Sequence, residues 1–200
     1  MRYRVIGRRG FTLSELLVVI GIIAMLAGLL LPVLGYARSV GRRTRCMAHI
    51  RQLALAIDVY AEDSRGWYPP MWASTSPPLR WMDLLVPYIE HFEIYDCPSS
   101  AHVLCPWDPR IYMSYGMNVY NFDGNCLWYG VKRDVVTLPA ATIVLADSAD
   151  GKYYVGSGSR FRDPVQFVDY RHGGGFVAAF FDGHVEHLTR TQERLWRLLK

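Results

Sequence analysis

The side chains able to do chemistry in this 200-residue chain are few and scattered. His172, Asp182, His184, His187 and Asp147 are of the types that bind metals or move protons. On a strand, however, His184 and Glu186 share one face while His187 points to the other, so the run offers no ready ligand set. Four cysteines are present, Cys46, Cys97, Cys105 and Cys126, which allow three fully paired connectivities. None has zinc-ligand spacing, because no second pair and no His-x-x-His accompanies Cys97 and Cys105. If the globular part lies outside the cytoplasmic membrane, a disulfide is expected, and Cys97 with Cys105 closes the shortest loop. Free buried thiols are the alternative. His172 stands directly ahead of Gly173-Gly174-Gly175, where it reads as a hydrogen-bond partner that pins the start of a hairpin. There is no Gly-x-Ser-x-Gly elbow, no His-Glu-x-x-His, no phosphate loop and no carboxylate pair with an evident partner. A membrane-anchored hydrolase would need a cleft joining His172 to a carboxylate.

The elements that must position these residues start with one apolar run. Between Glu15 and Arg38 no residue is charged. At ~1.5 Å rise per residue these twenty-two positions form a helix of ~33 Å, enough to cross a bilayer core. The pI near 8.9 suggests phosphate binding, but the charge is unevenly placed. Arg2, Arg4, Arg8 and Arg9 all precede Phe11, and without them 18 basic residues face 18 acidic ones. The remaining chain is formally neutral, so no nucleic-acid partner is expected. Arginines flank the apolar run on both sides, with Arg38, Arg42, Arg43 and Arg45 after it, so the positive-inside rule alone does not orient the helix.

Glu15 is the informative charge. A carboxylate at the mouth of a membrane helix usually has a partner and a task. Once Phe11 is the first residue, its α-amine and the helix N-terminus are both positive. Glu15, one turn away, complements either its own terminus or a neighbouring subunit's. The alternative is a side chain that merely snorkels to the headgroups. The run Gly10-Phe11-Thr12-Leu13-Ser14-Glu15-Leu16-Leu17-Val18 resembles the processing site of type IV prepilins and type II secretion pseudopilins. The resemblance implies cleavage after Gly10 by a prepilin peptidase, N-methylation of Phe11 and an assembly role for Glu15. It also implies other pseudopilin subunits and an inner-membrane assembly platform as partners. Pro32 matches the position where such helices are commonly kinked, and an interior proline removes one helix hydrogen bond. An ordinary secretory signal would have a shorter apolar core and a small-x-small cleavage site. A twin-arginine signal shares Arg8-Arg9 but does not need Glu15.

Apolar positions then recur at Val33, Tyr36, Val40, Met47, Ile50, Ala54, Ile57 and Tyr60, with arginines on the other face. One helix from about Thr12 to about Asp63 follows, ended by Gly66 and Pro69-Pro70. Beyond Trp67, aromatics are dense and apolar runs short. Residues 81–89 read as a short helix or turn, and Thr142–Ala146 as a buried strand ending at Asp147-Ser148. Asp182-Gly183 between two β-prone runs signals a hairpin. Thr191–Lys200 reads as a short amphipathic helix with Leu195, Leu198 and Leu199 inward. The expected architecture is α+β: a long N-terminal helix, membrane-spanning in its first half, packed on a small antiparallel sheet domain in the pilin-like manner. The divisions are a leader at 1–10, a membrane half at 11–36, a soluble half at 37–63 and a globular domain at 64–200.

A second resemblance covers the globular half. His172, nine residues, then Asp182-Gly183 is similar to the C-terminal motif of a pseudopilin-like family named for His-x9-Asp-Gly. Cys97-Pro98-Ser99, Ser114-Tyr115-Gly116-Met117-Asn118 and the stretch from Arg45-Cys46 to Tyr60 match it as well. Some major pseudopilins bind calcium in a C-terminal loop. That likeness makes Asp147, Asp150 and Asp163 candidate oxygen ligands, turn-forming aspartates being the other reading. The functional expectation is a non-enzymatic structural subunit of a type II secretion-like or type IV pilus-like assembly, anchored once in the bacterial inner membrane. In that topology the leader is cytoplasmic and the globular domain extracytoplasmic. The alternative is a membrane-tethered module that captures a polymer or cargo through Trp67, Tyr68, Trp72, Trp81 and Trp107.

Overall fold

A computed structural model describes residues 12–120, 127–156 and 165–198. Its contacts divide the chain into two units, the first ending at Val40 and the second beginning at Gly41. The first long element is helix α1, Leu13–Asp63, with Pro32 inside it. It spans the range that the apolar spacing predicts.

Within the first unit no described side chain of α1 is buried. Leu13 is 82% exposed, and the apolar residues from Leu16 to Tyr36 are similarly open. At about 25 cal/mol per Å² of apolar surface, such a continuous face is not left to water. The helix is long and apolar enough to cross a membrane.

In the second unit α1 becomes amphipathic. Cys46, Ile50, Leu53, Ala54, Ile57 and Ala61 are buried at helical spacing. The helix stops where Gly66 adopts a positive φ and its N–H bonds the carbonyl of Ala61 at 2.7 Å. Two short strands, β1 (Trp72–Ala73) and β2 (Leu79–Arg80), pair antiparallel and lead into helix α2, Trp81–Leu85. A 3-10 turn at Val86–Tyr88 completes the segment predicted as helix or turn.

The main sheet holds β3 (Tyr115–Asn118), β4 (Ile143–Asp147), β5 (Tyr154–Val155), β6 (Phe176–Phe180) and β7 (Val185–Leu188) in the order β5-β3-β4-β6-β7. All neighbours are antiparallel except β3 and β5, which run parallel, so the α+β class holds with a mixed sheet. β6 shows how the sheet is used. Val177 and Ala179 join the core that includes Ile50, Leu53 and Ile57 of α1, while Phe176, Ala178 and Phe180 pack on the other face with Trp196. In β4 the alternation is broken by a register shift between Ile143 and Leu145, which puts Val144 and Leu145 both in the helix-side core.

The C-terminal segment departs from the expected helix. Only Glu193–Leu195 makes a 3-10 turn. The sheet domain bonds the carbonyls at the end of this segment. Asn118 Nδ2 donates to Trp196 O at 3.1 Å, Thr142 Oγ1 to Arg197 O at 3.1 Å and Thr137 N to Leu198 O at 3.1 Å. Trp196 and Leu198 are buried, and Leu195 only partly so. Leu199 lies outside the described residues.

Candidate functional site

The processing residues Gly10 and Phe11 lie outside the described residues. The helix beyond them opens on a capping box. Thr12 donates its backbone N–H and its hydroxyl to Glu15 Oε2 at 2.8 and 2.7 Å, and Glu15 N–H returns a bond to Thr12 Oγ1 at 3.3 Å. These bonds join Glu15 to Thr12 of its own chain.

The second cluster is buried in the globular unit, and its centre is His172. Gly173 and Gly174 both take positive φ, and His172 and Gly175 exchange backbone hydrogen bonds of 2.9 and 3.3 Å across them. A Cβ on Gly175 would stand 2.4 Å from His187 Nε2. The three glycines thus serve two left-handed positions and one close approach. His187 Nε2 donates to His172 O at 2.8 Å and pins the hairpin's start, the task expected of the His172 ring.

The ring of His172 faces inward. Its Nε2 lies 3.3 Å from Cys97 Sγ and 3.4 Å from Asp147 Oδ2. Cys97 is bonded to Cys46 of α1. This corrects the expected Cys97–Cys105 pairing: Cys105 is a free buried thiol. Loop length favours near neighbours, but the packed helix brings Cys46 to Cys97, with their Cα atoms 5.1 Å apart. Cys105 N–H bonds Ile111 O at 2.8 Å inside its own loop. Cys126 lies outside the described residues.

Asp147 ends β4 and is fully buried. Its Oδ2 accepts the N–H of Val177 at 2.7 Å, standing in for a ladder carbonyl. Arg171 Nε lies 3.9 Å from Asp147 Oδ1 and 3.0 Å from Asp169 Oδ2, and Arg171 also donates to the carbonyl of Ser148. Burial pushes the Asp147 carboxyl up to about 7, against the opposing pull of Arg171 and the Val177 N–H. Burial likewise pushes the His172 imidazole down to about 4, with Arg171 adding to the effect. His172 is therefore neutral at physiological pH, and its contact with Asp147 is not an ion pair.

Other predicted residues lie elsewhere. Asp182 Oδ1 accepts the N–H of His184 at 3.1 Å and the ring Nδ1–H at 2.6 Å, and Gly183 has φ +84°. Both shape the β6–β7 turn. Of the calcium candidates, Asp147 is buried against Arg171 and His172, Asp150 is exposed in the following turn, and Asp163 lies outside the described residues. Among the aromatic candidates, Tyr68 and Trp81 are core, with Trp81 Nε1 donating to Tyr153 O at 2.7 Å. Trp72 and Trp107 are half-buried and flank the Arg80 guanidinium, 4.8 and 3.5 Å from it, and Trp67 is exposed. Sequence reasoning missed His49 and Asp96. His49 Nδ1 donates to Asp96 O at 2.7 Å, and Ser114 Oγ reaches the Asp96 carboxylate, fixing the segment before Cys97.

An exposed apolar helix capped at Glu15, followed by a small α+β domain, agrees with the plan that the prepilin-like motif implies. Residues 7–31 match the family described as the prokaryotic N-terminal methylation motif, and residues 36–102 match one described as a protein of unknown function, DUF1559. The chain thus carries a prepilin-type methylation motif, and its DUF1559 match includes both bonded cysteines. No curated protein and no solved structure matches it.

Proposed function

We propose that this protein is a non-enzymatic structural subunit of a type II secretion-like or type IV pilus-like assembly. It is cut after Gly10 by a prepilin peptidase, methylated at Phe11 and held in the inner membrane by the first half of α1. There it packs against other subunits through that helix and meets an assembly platform. The observation that carries this reading is the methylation motif at residues 7–31, set on a helix whose apolar side chains from Leu13 to Tyr36 are exposed. Two matters favour it over a tethered binding module. Two of the five aromatic residues which that module would use, Tyr68 and Trp81, are buried, and of the remaining three only Trp67 is exposed.

The test is mass spectrometry of the mature protein from its native membrane. A chain beginning with N-methylated Phe11 is expected. A start near residue 35 or 38 marks an ordinary export signal and sinks the reading.

A further inference from the structure

Among the described residues, one set of metal-ligating side chains converges. Cys46 Sγ, Cys97 Sγ and His172 Nε2 all lie within 4.8 Å of one another. They come from three separate parts of the chain: α1, the loop after Tyr95 and the turn before β6. Local spacing therefore gave no sign of them. All three are buried, Cys46 and Cys97 completely.

The donor set is two sulfurs and an imidazole, the chemistry that selects zinc-type divalent ions. In a tetrahedral zinc site, Zn–S near 2.3 Å and Zn–N near 2.0–2.1 Å place sulfur and nitrogen about 3.5 Å apart. Cys97 Sγ and His172 Nε2 are 3.3 Å apart. A nitrogen and a carboxylate oxygen on the same ion stand about 3.4 Å apart, and Asp147 Oδ2 is 3.4 Å from that nitrogen. The sulfur pair must open to about 3.8 Å, and Cys46 Sγ already lies within 4.8 Å of the His172 ligand nitrogen.

We propose that this cluster has two chemical states: the Cys46–Cys97 disulfide and, after reduction, a zinc-type site held by Cys46, Cys97 and His172, with Asp147 beside the fourth position. A dithiol reductant converts the disulfide to two thiols by giving up two electrons and two protons, and itself becomes a disulfide. A divalent ion then displaces the two thiol protons to solvent and is bound by two thiolates and the Nε2 lone pair. Either state ties α1 to the loop at Cys97, so the globular unit keeps one cross-link at the same place. This inference goes beyond the structural-subunit reading and does not depend on it.

The test uses the full chain in detergent, unfolded with a dithiol, freed of reductant without air and refolded with cobalt(II). The reduced protein should take up one equivalent and show the thiolate-to-cobalt band together with the visible bands of a four-coordinate ion, and zinc(II) should displace it. The oxidised protein should show neither band. The double variant Cys105→Ser/Cys126→Ser should keep both bands, while Cys46→Ser and Cys97→Ser lose them. His172→Gln should bind at least tenfold more weakly with shifted visible bands, its oxidised form giving the far-ultraviolet circular dichroism check on folding. Absence of the bands from the reduced wild type overturns the proposal. So does their loss in the Cys105/Cys126 variant, or wild-type affinity and spectrum in His172→Gln.

Discussion

Thr12 gives two donors to a single carboxylate oxygen, its N–H and its hydroxyl both meeting Glu15 Oε2 within 2.8 Å. The cap and the charge of Glu15 are therefore separable. Glu15→Gln keeps an oxygen acceptor for Thr12 and loses the charge, while Glu15→Val loses both. If assembly uses the charge, both variants should insert and be cleaved normally yet fall at least tenfold in filament incorporation, read by cross-linking of neighbouring subunits. Wild-type incorporation of Glu15→Gln would assign the residue to capping alone.

The disulfide spans 51 residues of sequence, and closing a loop of that length stabilises a fold by about 4 kcal/mol in the chain-entropy account. Cys46→Ser or Cys97→Ser should lower stability by up to that amount in chemical denaturation without added metal. Cys105→Ala should cost about 1 kcal/mol. Peptide mapping without reductant should recover Cys46 joined to Cys97, and a Cys97–Cys105 peptide would contradict the fold.

Burial pushes the Cys105 thiol above its ordinary range, partly offset by hydrogen bonds from the Trp107 and Asp108 backbone. A raised value leaves less thiolate at any given pH, and the thiolate is the nucleophile. Alkylation of Cys105 in the folded protein should be slow at neutral pH, quicken as pH rises and become fast on unfolding. The modified Cys105 peptide, followed by mass spectrometry, gives the rate. Fast modification of folded protein at neutral pH would show an open thiol.

Two glycines of the last hairpin should respond differently to alanine. At Gly175 the added Cβ would meet His187 Nε2 at 2.4 Å and Leu188 O at 2.6 Å. Overpacking of this kind costs about 1–3 kcal/mol, and here it also disturbs the His187 bond to His172 O. At Gly183 nothing lies within 4 Å, and the change meets only the strain of φ +84°, roughly 1 kcal/mol. Thermal melts should place Gly175→Ala below Gly183→Ala; the reverse order would refute the contact argument.

What was legible in the sequence was set by local rules. The α1 stripe through Ile50, Ala54 and Ile57 follows from helix period alone, and Asp182-Gly183 announces a positive φ whatever surrounds it. Residues governed by long-range packing were not legible. Cys46 meets Cys97 because α1 lies on the sheet domain, a fact absent from any count of intervening residues. The spacing of Leu195 and Leu198 suits a helix, yet Asn118, Thr142 and Thr137 bond the carbonyls of Trp196, Arg197 and Leu198 and hold the segment on the sheet domain. Asp147 reads as a turn former at a strand end, and only the fold reveals that Arg171 and His172 close over it.

Cys46 lies six residues beyond Val40, where the first unit ends. Any pull transmitted along α1 reaches that sulfur almost as soon as it enters the second unit. From there tension crosses the covalent bond to Cys97 and continues towards the C-terminus. Residues 47–96, with the last third of α1, β1, β2 and α2, are thereby taken off the mechanical line. A chain pulled through its first helix would carry load through a sulfur bridge while about a third of its buried apolar residues stay slack.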